Sequence, residues 1–122
     1  MKRLPDAEFE VMKAVWALPI PCSAGQVLQA LQGEKEWKVQ TVITLLSRLV
    51  ERGFLSTEKQ GKERLYRPLL EKEAYLQFET GNFIRQYHGN SFTSFVTALY
   101  DGETISDADA DELMQWLKER KS

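Results

Sequence analysis

The 122-residue chain is short of the groups that define several protein classes. It has one cysteine, Cys22, and one histidine, His88. No disulfide can close within one copy, and no Cys/His cluster is available, so a disulfide scaffold and a structural zinc site are excluded within the chain. No apolar run approaches the roughly 20 residues that a membrane-spanning helix needs, which argues against membrane insertion. The opening MKRLPDAEFE has two basic residues but no apolar segment behind them, so no secretory leader is expected and the cytoplasm is the expected compartment. No Gly-rich phosphate loop, nucleophile elbow or two-His metal motif occurs. An enzyme is therefore not expected, and no cofactor or metal is predicted. Neither charge sign dominates: 16 Lys and Arg stand against 18 Asp and Glu.

That near-balance conceals a split. Residues 1–70 hold 11 basic and 8 acidic residues, whereas residues 71–122 hold 5 and 10. The stretch 38–67 is the most basic, with 7 against 3. Such asymmetry places a basic working surface on the first part and a different task on the second. The composition shift divides the chain near residue 70, into 1–70 and 71–122.

Periodicity supplies the elements. Phe9, Met12, Val15 and Trp16 recur at helical spacing behind Pro5 and Asp6, and Pro19 and Pro21 end that helix. Ser23 with Gln26 three positions on matches a capping box for a second helix holding Val27, Leu28 and Leu31. From Val39 to Arg52, the positions Val42, Leu45, Leu46 and Leu49 fill one arc of a third helix, and Gly53 is placed to end it. Two short apolar-aromatic runs, 54–57 and 65–67, flank the Gly-containing stretch 58–63 and predict a hairpin ended by Pro68. The remaining residues predict a helix from about Glu71 to Tyr87 with a kink or break allowed at Gly81–Asn82, a helix capped by Ser91, and a last helix capped by Ser106 with Leu113, Met114, Trp116 and Leu117 inward. About 50 residues of disconnected helix bury too little surface to stand alone. A second copy completing the core across a two-fold axis is the expected solution. The apolar candidates for that homodimer contact are Phe78, Phe83, Ile84, Phe92, Phe95, Val96, Leu99, Leu113, Trp116 and Leu117.

The third helix carries the functional signal. Its arc opposite the apolar one holds Gln40, Thr41, Thr44, Ser47 and Arg48: hydroxyls, an amide and an arginine, where a merely solvated face usually carries acids. Threonine and serine donate or accept and touch thymine methyls, glutamine pairs with adenine, and arginine pairs with guanine or phosphate. Three helices and a β-hairpin wing over 1–70 are the order of a winged helix-turn-helix, so the expected architecture is mainly α: that domain, followed by a helical dimerisation region over 71–122. In a winged helix the third helix enters the major groove while the wing runs beside the backbone. Gln40, Thr41, Thr44 and Ser47 are therefore expected on bases. Lys38, Arg48, Lys59, Lys62 and Arg64 are expected on the phosphates of a double-stranded DNA operator. The alternative is a winged helix serving as a protein-binding module, which predicts no salt-dependent DNA affinity.

The stretch WKVQTVITLLSRLVERGFL, Trp37 to Leu55, resembles the third helix of the penicillinase-repressor family (the BlaI/MecI/CopY type). Thr41, Val42, Thr44, Leu45, Arg48, Leu49 and Gly53 meet the family's T-V/I-x-T-L-x-x-R-L-x-x-x-G pattern. The segment AEFEVMKAVW resembles its first helix, and FTSFVTALYD with the Ser106-capped acidic helix resembles its tail. The resemblance implies a dimeric transcriptional repressor on a palindromic operator. In the drug-responsive branch it also implies cleavage of the tail, set off by a membrane-bound sensor protease. By alignment that site falls near Ala98–Leu99, where this chain lacks the Asn-Phe pair of the best-known members. The tail Cys-x-Cys of the copper-responsive branch is also absent.

Three other features have plainer explanations. Asp107, Asp109 and Asp111 imitate the start of a calcium loop, but Glu112 and Lys118 stand where it needs Gly and Glu. First-turn acids complementing a helix dipole explain them better. His88 is expected at a surface or turn, and Cys22 as a small apolar filler.

Overall fold

The structure is a computed structural model that describes residues 1–33 and 35–121. Its elements are α1 (Asp6–Ala17), β1 (Cys22–Ser23), α2 (Ala24–Leu31), α3 (Val39–Glu51), β2 (Leu55–Gln60), β3 (Glu63–Pro68), α4 (Lys72–His88), α5 (Phe92–Asp101) and α6 (Asp107–Lys121). Contacts divide the chain into two compact units, Met1–Phe78 and Glu79–Ser122.

The first unit is a winged helix-turn-helix. Asp6 and Glu8 occupy the first turn of α1, where acids suit the positive end of the dipole. The capping box at α2 forms: Ser23 Oγ accepts from the Gln26 amide at 3.2 Å, and Gln26 Oε1 accepts from the Ser23 amide at 2.8 Å. Val11, Met12 and Val15 of α1 meet Val27 of α2 and Val42, Leu46 and Leu49 of α3, all fully buried. Each such side chain contributes about 1.5–3 kcal/mol on burial.

The hairpin is longer than its apolar residues predict. Strands β2 and β3 pair antiparallel from Leu55↔Pro68 to Gln60↔Glu63, so 58–60 and 63 lie in strands and the turn shrinks to Gly61–Lys62. Polar side chains at this exposed tip hide the strand pattern, while the backbone ladder and the tight turn sustain it. Gly61 has φ +66°, a value that L side chains rarely adopt. A third strand, β1, pairs Cys22↔Tyr66 and Ser23↔Leu65, giving the order β1-β3-β2. Two residues are too few to register as a strand in the sequence.

The first unit also extends past residue 70. Tyr75 is fully buried among Phe9, Trp16, Phe54 and Phe78, with ring centroids 5.5–6.1 Å away. Its hydroxyl accepts from the Leu4 amide at 2.7 Å. Phe78, expected at a dimer contact, is partly buried against this core.

In the second unit, α4 runs unbroken through Gly81 and Asn82, correcting the interruption allowed above. Phe83 packs on Tyr87 and Phe95, and His88 lies against Phe95 with Nδ1 3.0 Å from Ser94 Oγ. Ser91 and Ser106 cap α5 and α6, accepting from the amides of Ser94 and Asp109 at 3.1 Å each. None of the described residues 79–121 is fully buried. Met114 and Trp116, expected inward, are 59% and 49% exposed, and Trp116 lies under the Arg120 guanidinium. A three-helix piece this small has no interior side to offer them. No helix among the described residues is long and apolar enough to cross a membrane.

Candidate nucleic-acid interface

The candidate surface is built on α3. Val42, Leu45, Leu46 and Leu49 anchor one arc in the core, which turns Gln40, Thr41, Thr44, Ser47 and Arg48 to solvent. Lys38 is the exposed N-cap residue and makes no side-chain cap, and the first turn holds no acid. Neither a side-chain cap nor an acid in that turn compensates the positive end of the α3 dipole, an arrangement that favours an approaching anion. The bases-and-phosphates set assigned to this helix therefore shares one exposed face. Val39, the first helical residue, is 47% exposed in the open first turn, but by helical spacing it falls beside Leu46 at the edge of the apolar arc, outside the row of Gln40, Thr44 and Ser47.

The far end of α3 is fixed from two sides. The Gly53 amide donates to Val50 O at 3.0 Å and the Phe54 amide to Leu49 O at 2.9 Å, the paired bonds of a Schellman ending. Gly53 supplies the φ of +82° that this ending requires. Arg52 then reaches α1: its Nε and Nη2 donate to the two carboxylate oxygens of Glu8 at 2.6 and 3.3 Å. Glu8 is 2% exposed, and its hydrogen bond holds the Arg52 guanidinium above its ordinary pKa. Pattern reasoning missed this pair. Glu8 looks like a first-turn acid, and nothing local marks a partner 44 residues away.

Within the exposed face, Thr44 Oγ1 donates to Gln40 O at 3.0 Å. Among the described residues, Thr44 alone of the five bonds its side chain within the chain.

The wing adds a cationic tip. Lys59 and Arg64 are register partners across β2 and β3, and Lys62 stands in the turn. Like charges directly opposite one another on a hairpin are unfavourable unless an anion meets them. Arg64 Nη1 donates to Thr57 Oγ1 at 3.4 Å, while Arg67 Nε lies 3.6 Å from Glu58 Oε1 and is thereby partly neutralised. Lys59, Lys62 and Arg64 have no acidic partner among the described residues.

The second unit collects the remaining apolar candidates. Phe83, Phe92 and Trp116 are about half exposed, while Ile84, Phe95, Val96, Leu99, Leu113 and Leu117 are half-buried. Ala98 and Leu99 lie inside α5. No group of three or more His, Cys, Asp or Glu able to hold a metal ion occurs among the described residues. Cys22 is buried, and burial pushes its thiol pKa up.

Comparison with known proteins finds relatives along nearly the whole chain. The family model described as penicillinase repressor matches residues 4–119. The penicillinase repressor of Bacillus licheniformis is 29% identical over 125 residues, covering 100% of this chain and 97% of that protein. The methicillin resistance regulatory protein MecI of Staphylococcus aureus (strain N315) is 30% identical over 118 residues, covering 96% and 94%. Among solved structures, the monomeric form of Bacillus licheniformis BlaI in complex with the blaP half-operator is 31% identical, with a TM-score of 0.50 over 61% of this chain and 89% of that one. The chain belongs to the penicillinase repressor family of DNA-binding transcriptional repressors.

Proposed function

We propose that two copies of this chain form a homodimer that represses transcription by occupying a palindromic operator. Each α3 enters a major groove, with Gln40, Thr41, Thr44 and Ser47 toward bases and Lys38 and Arg48 on phosphates. The wing follows the backbone through Lys59, Lys62 and Arg64. Two such helices on one DNA face require half-sites related by a dyad, with centres about one helical turn or a small multiple apart. Repression is steric, since a bound dimer blocks the promoter.

The observation that carries this reading is the exposed face of α3, where hydroxyls, an amide and an arginine follow an uncapped, acid-free first turn. The half-operator complex of the related BlaI supports it. The second unit supports the dimer, because its aromatic and aliphatic side chains stay half exposed in one copy. Joining two weak half-site contacts raises affinity by an effective-concentration gain, so anything that separates the tails releases DNA. Cleavage near Ala98–Leu99 is one such event. Those residues lie within a ten-residue helix, so a protease has to open α5 before its backbone fits an active-site cleft.

Selection of bound fragments from the genome of the source organism tests the reading. The expected result is a dyad-symmetric motif inside promoters. A bound pool with no enriched motif at low ionic strength would overturn it.

A further inference from the structure

Thr44 is unusual on its face because its hydroxyl proton is already used. Its Oγ1 donates to the Gln40 carbonyl at 3.0 Å, one turn back along α3. A threonine hydroxyl has one proton to donate and two lone pairs to accept with. Once the proton is committed to the backbone, Thr44 cannot donate to guanine N7 or O6, to adenine N7 or to thymine O4. The oxygen is drawn back along the helix, and the β-branched side chain then presents its Cγ2 methyl beside the lone pairs.

The surroundings decide what that group can recognise. Thr44 is exposed, midway along the α3 face between Thr41 and Ser47. Gln40, Thr41 and Ser47 keep their polar groups free for base edges among the described residues. Thr44 is thus the apolar point in an otherwise hydrogen-bonding row. In the major groove the one apolar feature of a base pair is the C5-methyl of thymine.

We propose that Thr44 specifies a thymine in each half-site by packing Cγ2 against that methyl, its hydroxyl serving to hold the rotamer. This rests on the operator-binding reading above.

The test uses the full-length protein and the operator obtained by selection. Each thymine of a half-site is replaced in turn by deoxyuridine, which removes the C5-methyl and leaves the Watson–Crick and groove hydrogen-bonding groups in place. At one position, uracil should weaken the wild-type protein about fourfold, the equivalent of exposing one methyl-sized group. Thr44→Ser keeps the hydroxyl but lacks the methyl, so it should show no response to uracil at that position. Thr44→Val keeps a methyl and loses the hydroxyl, and it should retain the fourfold response. The response of each protein is a ratio between two duplexes, so a general loss of affinity in a variant does not disturb it.

If no thymine of a specifically bound operator responds to uracil, or if Thr44→Ser responds as the wild type does, the assignment of Thr44 is wrong while operator binding stands. If the wild-type protein prefers no fragment at all, the operator reading itself fails, and the thymine contact fails with it.

Discussion

Arg52, the residue that closes α3, is bonded through two nitrogens to the carboxylate of Glu8 in the first turn of α1, at 2.6 and 3.3 Å. Glu8 lies at 2% exposure, so the pair ties one end of the candidate reading helix to the core. Replacing Arg52 with alanine leaves the Glu8 carboxylate buried without its partner. The expected outcome is a lower urea midpoint with an unchanged m-value, measured by urea unfolding. Replacing both residues with apolar side chains of similar size should recover most of that loss, because the desolvated charge is then gone. Equal destabilisation by the single and double replacements would show that the ion pair is incidental.

The wing assignment separates affinity from specificity. Lys62→Ala should weaken binding to operator and to random duplex alike and lower the slope of log K against log salt concentration by about 0.9. Thr44→Ala should instead narrow the gap between operator and random DNA. Fluorescence anisotropy titrations at several salt concentrations measure both quantities. An unchanged salt slope for Lys62→Ala would remove that lysine from the phosphate contacts.

The position of Tyr75 determines where the chain can be shortened. It is fully buried among four aromatic rings, and losing such a side chain costs about 3–5 kcal/mol. A chain ending at residue 70 should therefore unfold at much lower urea concentration than one ending at Phe78. The chain ending at Phe78 should fold as a monomer and bind the operator 10²–10⁴-fold more weakly than the full-length dimer, an order-of-magnitude expectation from the loss of bivalency. Light scattering and anisotropy report the two effects. A dimer that persists without residues 79–122 would overturn the role given to the tail.

How much of this was legible in the sequence depends on whether the controlling contact is local. The capping pair Ser23–Gln26, the apolar arc of α3 and the Gly53 ending are short-range patterns, and each appears in the structure where periodicity and turn chemistry place it. Strand β1, the Glu8–Arg52 bond and the Leu4–Tyr75 bond join residues 42 or more positions apart, and no local pattern encodes them. The hairpin was underestimated because exposed strands at a polar tip lack apolar alternation. Met114 and Trp116 follow a helical stripe that pointed inward, yet one copy of the tail has no interior for them. The exposed face of α3 was fully legible, since it is the complement of the buried arc. The commitment of the Thr44 proton to Gln40 was not, because it depends on a side-chain rotamer.

Acid should loosen the start of α6. The Ser106 amide donates to the Asp109 carboxylate at 2.9 Å, and this bond holds the Asp109 pKa below its usual 3.8. A depressed folded-state pKa contributes stability that is fully present above the unfolded value and is lost as pH falls through the folded one. The Ser106 and Asp109 amide resonances should therefore stay constant above about pH 5 and shift toward random-coil positions as pH drops below the ordinary carboxylate range. Amide signals that begin to move well above pH 5 would contradict the cap.

On the reading proposed, the bare side of α3, backed by a cationic wing, recognises a duplex by its sequence. Equilibrium binding of the full-length protein to the selected operator and to a scrambled duplex of equal length, at about 50 and 200 mM salt, tests this. Operator binding should be at least about 10³-fold tighter than scrambled binding, with both weakening as salt rises. Equal affinity for the two duplexes, or affinity indifferent to salt, would contradict it.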